Sequence, residues 1–125
     1  MKPIKQKYEM NATPSEVWNA LTKPEIIKIW SGAKAIMSAK KGAKFKLWGG
    51  DMFGKNIEVV KNKKLVQEWC TRSFKSKTTF ILKSGDKKTI VELIHEDVPS
   101  NQQKNYSDGW KQYYLGAMKE MFDNK

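Results

Sequence analysis

The C-terminal part of the chain carries a regular apolar stripe, and this stripe limits the fold more than any other feature of the sequence. Tyr106, Trp110, Tyr113, Ala117 and Met121 recur at steps of three or four residues, which is the period of an amphipathic α-helix. Such a helix is stable only when another layer covers its apolar face. A helix of about 24 residues is about 36 Å long. The sequence therefore predicts a long C-terminal helix packed against a broad partner layer.

The middle of the chain supplies that layer, because short strand-like runs alternate there with turn residues such as Gly49-Gly50-Asp51 and Ser84-Gly85-Asp86. Connections this short join neighbouring strands in antiparallel orientation, since a parallel crossover takes about a dozen residues or more. The runs at about 65–72 and 77–82 carry apolar residues on both faces, so the sequence does not show which face of each strand points into the core. We predict strands at about residues 33–38, 44–48, 54–60, 65–72, 77–82 and 89–95, and a first strand at 4–10.

Two short helices are predicted between the first strand and the rest of the sheet. Thr13-Pro14-Ser15-Glu16 combines an N-cap residue, a proline at the first helical position and a glutamate that completes a capping box. This motif starts a helix at about 14–21, and Pro24 starts a second one at about 24–30. Residues 1–125 are therefore expected to form one α+β domain, an antiparallel sheet of six or seven strands wrapped around the long C-terminal helix.

The chain is strongly basic, with a net charge of +11. Lysines in turns protect sheet edges and aid solubility, and they also offer a docking surface for an acidic protein, a nucleic acid or a membrane. Arg72 is the only arginine among 24 basic residues, which disfavours specific nucleic-acid recognition, since arginine is preferred for phosphate and base readout. We expect no membrane span. The lone Cys70 and the charged N-terminal segment favour a cytoplasmic protein.

The residues that most often carry chemistry are scarce. His95 is the only histidine and Cys70 the only cysteine, so neither a zinc site nor a Cys/His pair is expected. Glu92 and Glu96 share the strand face opposite His95 and are predicted to face water. We predict a non-enzymatic protein with no catalytic residues, metal or cofactor. The weaker alternative is an enzyme that uses Tyr113 or His95 as an acid or base.

Two glycines interrupt the predicted C-terminal helix. Gly109 and Gly116 each cost about 1 kcal/mol relative to alanine when a helix position is exposed. Either a strand approaches the helix backbone closely, or open space for a ligand lies beside it. The sequence leaves both explanations open.

Five separated segments carry a family resemblance: Thr13-Pro14-Ser15-Glu16-Val17-Trp18, Leu21-Thr22-Lys23-Pro24 followed by Trp30, Phe45-Lys46-Leu47-Trp48-Gly49-Gly50, Lys63-Lys64-Leu65-Val66 with Trp69, and Gly109-Trp110-Lys111-Gln112-Tyr113-Tyr114. In this order they resemble the C-terminal domain of the activator of heat-shock protein 90 ATPase family, over nearly the whole chain. The resemblance implies the helix-grip fold of the START-like, birch-pollen-allergen (SRPBCC) superfamily.

The resemblance also implies two kinds of function. The eukaryotic co-chaperone uses this domain to stabilise the closed, ATP-hydrolysing chaperone dimer, so one expectation is a co-chaperone-like or stress-related module whose partner is a heat-shock protein 90-type chaperone. Many members of the superfamily hold apolar ligands between sheet and helix, so the alternative is a carrier or sensor of a small hydrophobic molecule. The candidate cavity residues are Trp18, Ile26, Trp30, Phe45, Leu47, Trp69, Phe80, Trp110, Tyr113 and Ala117.

Overall fold

The computed structural model describes residues 2–124. Strands and helices follow in the order β1 (Ile4–Met10), α1 (Pro14–Thr22), α2 (Pro24–Ser31), β2 (Lys44–Leu47), β3 (Met52–Val60), β4 (Lys64–Cys70), β5 (Lys75–Ser84), β6 (Thr89–Glu96), α3 (Gln103–Tyr113) and α4 (Leu115–Asp123). Short 3-10 turns lie at Trp48–Gly50 and Ser100–Gln102.

The six strands form one antiparallel sheet with the order β1-β6-β5-β4-β3-β2. Strands β2 to β6 are successive hairpins, as their short connections predict. Strand β1 closes the far edge by pairing with β6, from Ile4 opposite His95 to Met10 opposite Thr89. One register shift interrupts the β3–β4 ladder between Asn56 and Glu58. The predicted α+β architecture, a sheet that holds the C-terminal helical segment with two short helices after the first strand, is confirmed.

The start of α1 shows how local sequence fixes a helix end. The Thr13 side chain accepts a hydrogen bond from the Glu16 backbone N–H at 3.2 Å, and the Glu16 carboxylate accepts one from the Thr13 N–H at 3.0 Å. This capping box satisfies two N–H groups that a helix start leaves unpaired. Helix α1 then buries Val17, Trp18 and Leu21 in the core.

The predicted strand at 33–38 is wrong. Within the described residues this segment makes a single bridge, between Ile36 and Lys46, and joins no ladder. Its partner β2 is only four residues long, and the chain turns away at once through a hydrogen bond from Gly42 N–H to the Asn56 carbonyl. Met37 is buried and Ala35 packs against the core, but Ile36 is 59% exposed, and the segment follows the four-residue β2 for only one bridge in the described part of the chain.

The C-terminal helix is interrupted at Tyr114, where the sequence predicts continuity. Tyr114 has φ −119° and ψ −98°, which lies outside the helical region. Helix α4 then resumes with a hydrogen bond from the Met118 N–H to the Tyr114 carbonyl at 2.9 Å. The break turns the Tyr114 ring inward while its neighbour Tyr113 remains 64% exposed. Apolar periodicity predicted the helical segment but carried no signal for this change of direction.

The structure settles the faces of β4 and β5 that the sequence left open. Leu65, Trp69 and Phe80 point into the core, whereas Val66 lies opposite Thr79, and those two side chains are also buried. In β6, alternate residues from Thr89 to His95 are buried, and Glu92 and Glu96 lie on the other face, as predicted. No helix among residues 2–124 combines the length and apolar character needed to cross a bilayer.

Candidate functional site

An aromatic groove of about 540 Å³ lies where the C-terminal helical segment crosses one end of the sheet. We call it the aromatic groove and define it by its lining residues: Trp48, Asp51, Trp69, Asn105, Tyr106, Gly109, Trp110, Tyr113 and Tyr114. Trp69 of β4 and the turn between β2 and β3 supply one wall, and α3 with Tyr114 supplies the other. Apolar surface with a few polar groups at the edge is typical of small-molecule sites.

The walls of the groove are held by a dense cluster of rings centred on Tyr114. Its ring centroid lies 4.6 Å from those of Trp30 and Trp110, and it stacks on Phe80 at 5.8 Å. Trp110 in turn stacks on Trp69 at 4.9 Å. Offset and edge-on ring pairs add stability beyond the apolar area they bury, so this side of the groove is preformed and rigid.

His95 holds Trp110, which lines the groove, in place through a buried hydrogen bond. The indole N–H of Trp110 donates to Nδ1 of His95 at 3.1 Å, and Ser76 Oγ lies 2.8 Å from Nε2. An indole N–H can only donate, so Nδ1 accepts and Nε2 carries the proton. Nε2–H then donates to Ser76, whose hydroxyl donates to the Trp69 carbonyl at 3.2 Å. Burial lowers the pKa of His95 to about 4, so the imidazole is neutral at physiological pH.

A second buried network fixes the Trp69 wall. The indole N–H of Trp69 donates to Gln67 Oε1 at 2.9 Å, and Gln67 Nε2 donates to Asn56 Oδ1 at 2.9 Å. Asn56 Nδ2 then donates to the carbonyls of Ser38 and Lys40. The orientation of Trp69 is therefore coupled through β4 and β3 to the loop that precedes β2.

The hydroxyl of Tyr114, one of the groove-lining residues, is a buried polar group without a partner within residues 2–124. Its oxygen is buried and makes no hydrogen bond to any other residue in the described part of the chain. Burial raises the pKa of this hydroxyl, so it remains protonated. A buried polar group without a partner costs about 1–3 kcal/mol.

The break at Tyr114 also separates the roles of the two helix glycines. A Cβ added at Gly109 would meet nothing within 4 Å, because this position borders the groove. A Cβ added at Gly116 would lie 1.6 Å from the Lys111 carbonyl oxygen. Gly109 therefore leaves open space, whereas Gly116 allows close backbone approach. Open space, one of the two explanations left by the sequence, applies to Gly109, whereas the close neighbour of Gly116 is the backbone of α3 and not the predicted strand.

The structure brings together three of the predicted cavity residues in the groove: Trp69, Trp110 and Tyr113. Phe80 and Phe45 lie directly behind the walls, with Phe45 at 6.2 Å from Trp69 and Phe80 at 5.7 Å from Trp110. The other predicted residues do not line the groove. They lie in the core or packed against it: Trp18, Ile26, Trp30, Leu47 and Ala117.

Sequence reasoning did not assign Trp48, Asp51, Asn105, Tyr106 or Tyr114 to a cavity. Trp48 was predicted to end a strand, but it has a positive φ of 48°, and Gly49 and Gly50 follow with φ of 67° and 95°. Glycine adopts such values readily, so this turn presents the Trp48 ring toward Tyr114 at 6.2 Å. The Gly49-Gly50 pair indicated a turn at this place, but the direction in which the turn points the Trp48 side chain is set by the tertiary structure.

The alternative acid or base residues do not meet in a catalytic arrangement. His95 is fully buried, whereas Tyr113 is exposed at the groove edge. The side chain and ring contacts of His95 are with Ser76, Trp69, Trp110 and Tyr106, none of which is a carboxylate. Within residues 2–124, no group of three or more His, Cys, Asp or Glu side chains is placed to hold a metal ion.

A six-stranded antiparallel sheet that holds a C-terminal helical segment, with two short helices after the first strand, defines a helix-grip domain of the START-like class. Comparison with known proteins identifies the family within this class. Residues 11–123 match the family described as Activator of Hsp90 ATPase homolog 1-like protein. Because this match covers most of the chain, the chain belongs to that family.

Individual relatives are distant in sequence. The human activator of 90 kDa heat shock protein ATPase homolog 1 is 26% identical over 116 residues, which cover 88% of this chain and 34% of the human protein. The chain thus spans about a third of the length of the curated relatives it matches.

Two solved structures share the fold over nearly their whole length. An HSP90 activator from Plasmodium falciparum superposes with a TM-score of 0.89 at 24% identity, covering 97% of this chain and 96% of that one. The Aha1 dimer from Colwellia psychrerythraea gives a TM-score of 0.85 at 18% identity, covering 98% of this chain and 96% of that one.

Proposed function

We propose that this domain is a non-catalytic binding module that engages a heat-shock protein 90-type chaperone and alters its ATP turnover. The observation that carries the proposal is membership of the activator family over residues 11–123. The Plasmodium structure described as an HSP90 activator has the same extent as this chain, which supports activity at this domain size. His95 is buried and neutral, and the hydrogen-bond partners of its ring in the described part of the chain are Ser76 and Trp110, which supports binding in preference to bond-breaking chemistry.

The direct test adds the purified domain to the heat-shock protein 90 homologue of its own host and measures ATP hydrolysis at low and at physiological salt. Only turnover suppressed by a specific chaperone inhibitor is counted, so that contaminating ATPases do not contribute. We expect turnover to rise in proportion to the domain added until the chaperone is saturated. Unchanged turnover at both salt concentrations rejects the proposal.

A second candidate function is the binding of a small apolar molecule in the aromatic groove. The groove itself favours it, because about 540 Å³ of space is lined mostly by aromatic side chains. This lining suits a flat, largely apolar ligand. Trp69 and Trp110 line the groove, so an occupant would change the tryptophan emission.

Substitutions at Gly109 test whether a small molecule binds in the aromatic groove. Because a Cβ at this position meets open space, Gly109→Leu places a side chain in the groove without crowding the backbone, and Gly109→Ala is the matched control. Native mass spectrometry and tryptophan quenching against a library of lipids and aromatic compounds should detect a ligand with the parent protein and Gly109→Ala, but not with Gly109→Leu. A ligand that binds all three proteins equally lies outside the groove, and no binding by any of them rejects this function.

A further inference from the structure

The strand register gathers three lysine-bearing segments at the end of the sheet opposite the aromatic groove. The β3–β4 hairpin closes with Val60 opposite Lys64, and the β5–β6 hairpin closes with Ser84 opposite Thr89. The Leu82 N–H donates to the Lys63 carbonyl at 2.8 Å, which ties the two hairpins together. The loop before β2 joins them, because Ala39, Val59 and Lys61 line one depression. We call segments 38–44, 58–64 and 83–89 the lysine-rich end.

Charge is strongly unequal between the two ends of the sheet. The lysine-rich end holds nine lysines against two acidic residues, Glu58 and Asp86. The shorter turn segments at the groove end, 48–51, 71–75 and 96–100, hold two basic and three acidic residues. The excess of positive charge is thus localised, and a localised field attracts an oppositely charged partner in a way that net charge alone does not.

Most lysines of this end are not neutralised by neighbours. Within residues 2–124, ion pairs engage Lys64 with Glu58, Lys83 with Glu92 and Lys88 with Glu9. The remaining six make none there and are exposed: Lys40, Lys41, Lys44, Lys61, Lys63 and Lys87. Their side chains are therefore available to carboxylates of another molecule.

An apolar depression lies among these lysines. Pro14, Val60, Ile81 and Leu82 line it together with the lysines at 63 and 64, and Val60 is 40% exposed. Because the depression lies between the two hairpins, the lysine-rich end offers a recess for an apolar side chain as well as positive charge. A branched apolar side chain fits such a depression while neighbouring acidic residues meet the surrounding ammonium groups.

The chemistry of this end favours an acidic protein segment over the other polyanions. The three segments contain no aromatic residue, whereas single-stranded nucleic acids are bound by aromatic stacking and membrane surfaces by apolar residues that include tryptophan and phenylalanine. The single arginine, Arg72, lies at the groove end. Lysine alone provides charge without the paired hydrogen bonds that select phosphate groups.

We propose that the lysine-rich end is a docking surface for an acidic protein segment that places one branched apolar side chain in the depression between the β3–β4 and β5–β6 hairpins. This inference goes beyond the proposed function, since it assigns a second surface and does not depend on the partner being a chaperone. Charged contacts of this kind mainly raise the association rate and make binding dependent on salt.

The test uses a fluorescent synthetic peptide of Glu and Asp residues around a central leucine, and measures its binding by anisotropy at low and physiological salt. The variant carries Lys61→Glu, Lys63→Glu and Lys87→Glu. The matched control carries Lys5→Glu, Lys28→Glu and Lys34→Glu at exposed positions elsewhere, so both proteins have the same net charge. Urea unfolding of all three proteins verifies that they are equally folded.

We expect the variant at the lysine-rich end to bind the peptide at least about tenfold more weakly than the parent, and the control to change by less than about twofold. Replacing the peptide leucine by serine should also weaken binding to the parent protein. Equal losses in variant and control would show that only net charge matters and would overturn the proposal. Tighter binding of a single-stranded oligonucleotide or anionic vesicles, abolished by the same variant, would also overturn it. Because no chaperone is present, failure here is distinct from failure of the ATPase assay.

Discussion

The two glycines of the C-terminal segment provide the sharpest test of the structure, because they look equivalent in the sequence and have opposite surroundings. A Cβ at Gly116 would lie 1.6 Å from the Lys111 carbonyl oxygen, whereas real contacts of this kind stay at or above 3.0 Å. Helices α3 and α4 would have to separate by about 1.4 Å at the break. Forced overpacking of this kind costs about 1–3 kcal/mol, and because the obstacle is backbone, we expect Gly116→Ala to lose about 3 kcal/mol.

Gly109→Ala is the matched comparison and should have the opposite sign. Its Cβ meets nothing within 4 Å, and alanine is favoured over glycine inside a helix by about 0.5–1 kcal/mol. We therefore expect Gly109→Ala to raise the free energy of unfolding slightly, so that the two variants differ by about 4 kcal/mol.

Urea unfolding followed by tryptophan fluorescence measures this difference directly. The slope of the unfolding free energy against urea should be the same in all proteins, because it reports the surface exposed on unfolding. A Gly116→Ala protein as stable as the parent would refute the break at Tyr114. A destabilised Gly109→Ala protein would show that α3 packs against the sheet where the groove is described.

Three further predictions concern buried and capping groups. Burial lowers the pKa of His95 from 6.5 to about 4, so its contribution to stability is complete above pH 6.5 and falls by about 3 kcal/mol as the pH drops to about 4. His95→Gln should flatten that part of a stability–pH curve, and an unchanged slope would contradict a buried, neutral His95. Gln67→Leu leaves the indole N–H of Trp69 without its acceptor and should lower the free energy of unfolding, measured in urea, by about 3 kcal/mol. A loss below about 1 kcal/mol would mean that Trp69 is held by packing alone. Thr13→Ala removes the side chain that caps α1 and should lower stability by about 1 kcal/mol, with Thr13→Ser restoring most of the loss; equal stability of both variants would argue against the capping box.

Part of the candidate site could be predicted from the sequence because its signals are carried by single residues. The stripe containing Trp110 predicted a helix that packs on the sheet, and Trp69 lay in a strand whose apolar residues had to be buried. The groove itself could not be predicted, since its shape depends on Trp48 leaving the sheet and on Tyr114 leaving the helix. Both changes depend on contacts between residues far apart in the chain.

The sequence by itself determined the local elements of this protein: the capped α1, the hairpins of β2 to β6, the helical C-terminal segment and the large positive charge. The charge is a matter of composition, and the other features arise from interactions across a few residues, which strand and helix periods record directly. Only the tertiary structure decided which glycine borders a groove, which tryptophans meet there, and that nine lysines gather at one end of the sheet. The groove features follow from the breaks at Trp48 and Tyr114, and the gathering of the lysines follows from strand register. Both place distant residues side by side, and no local pattern encodes that placement.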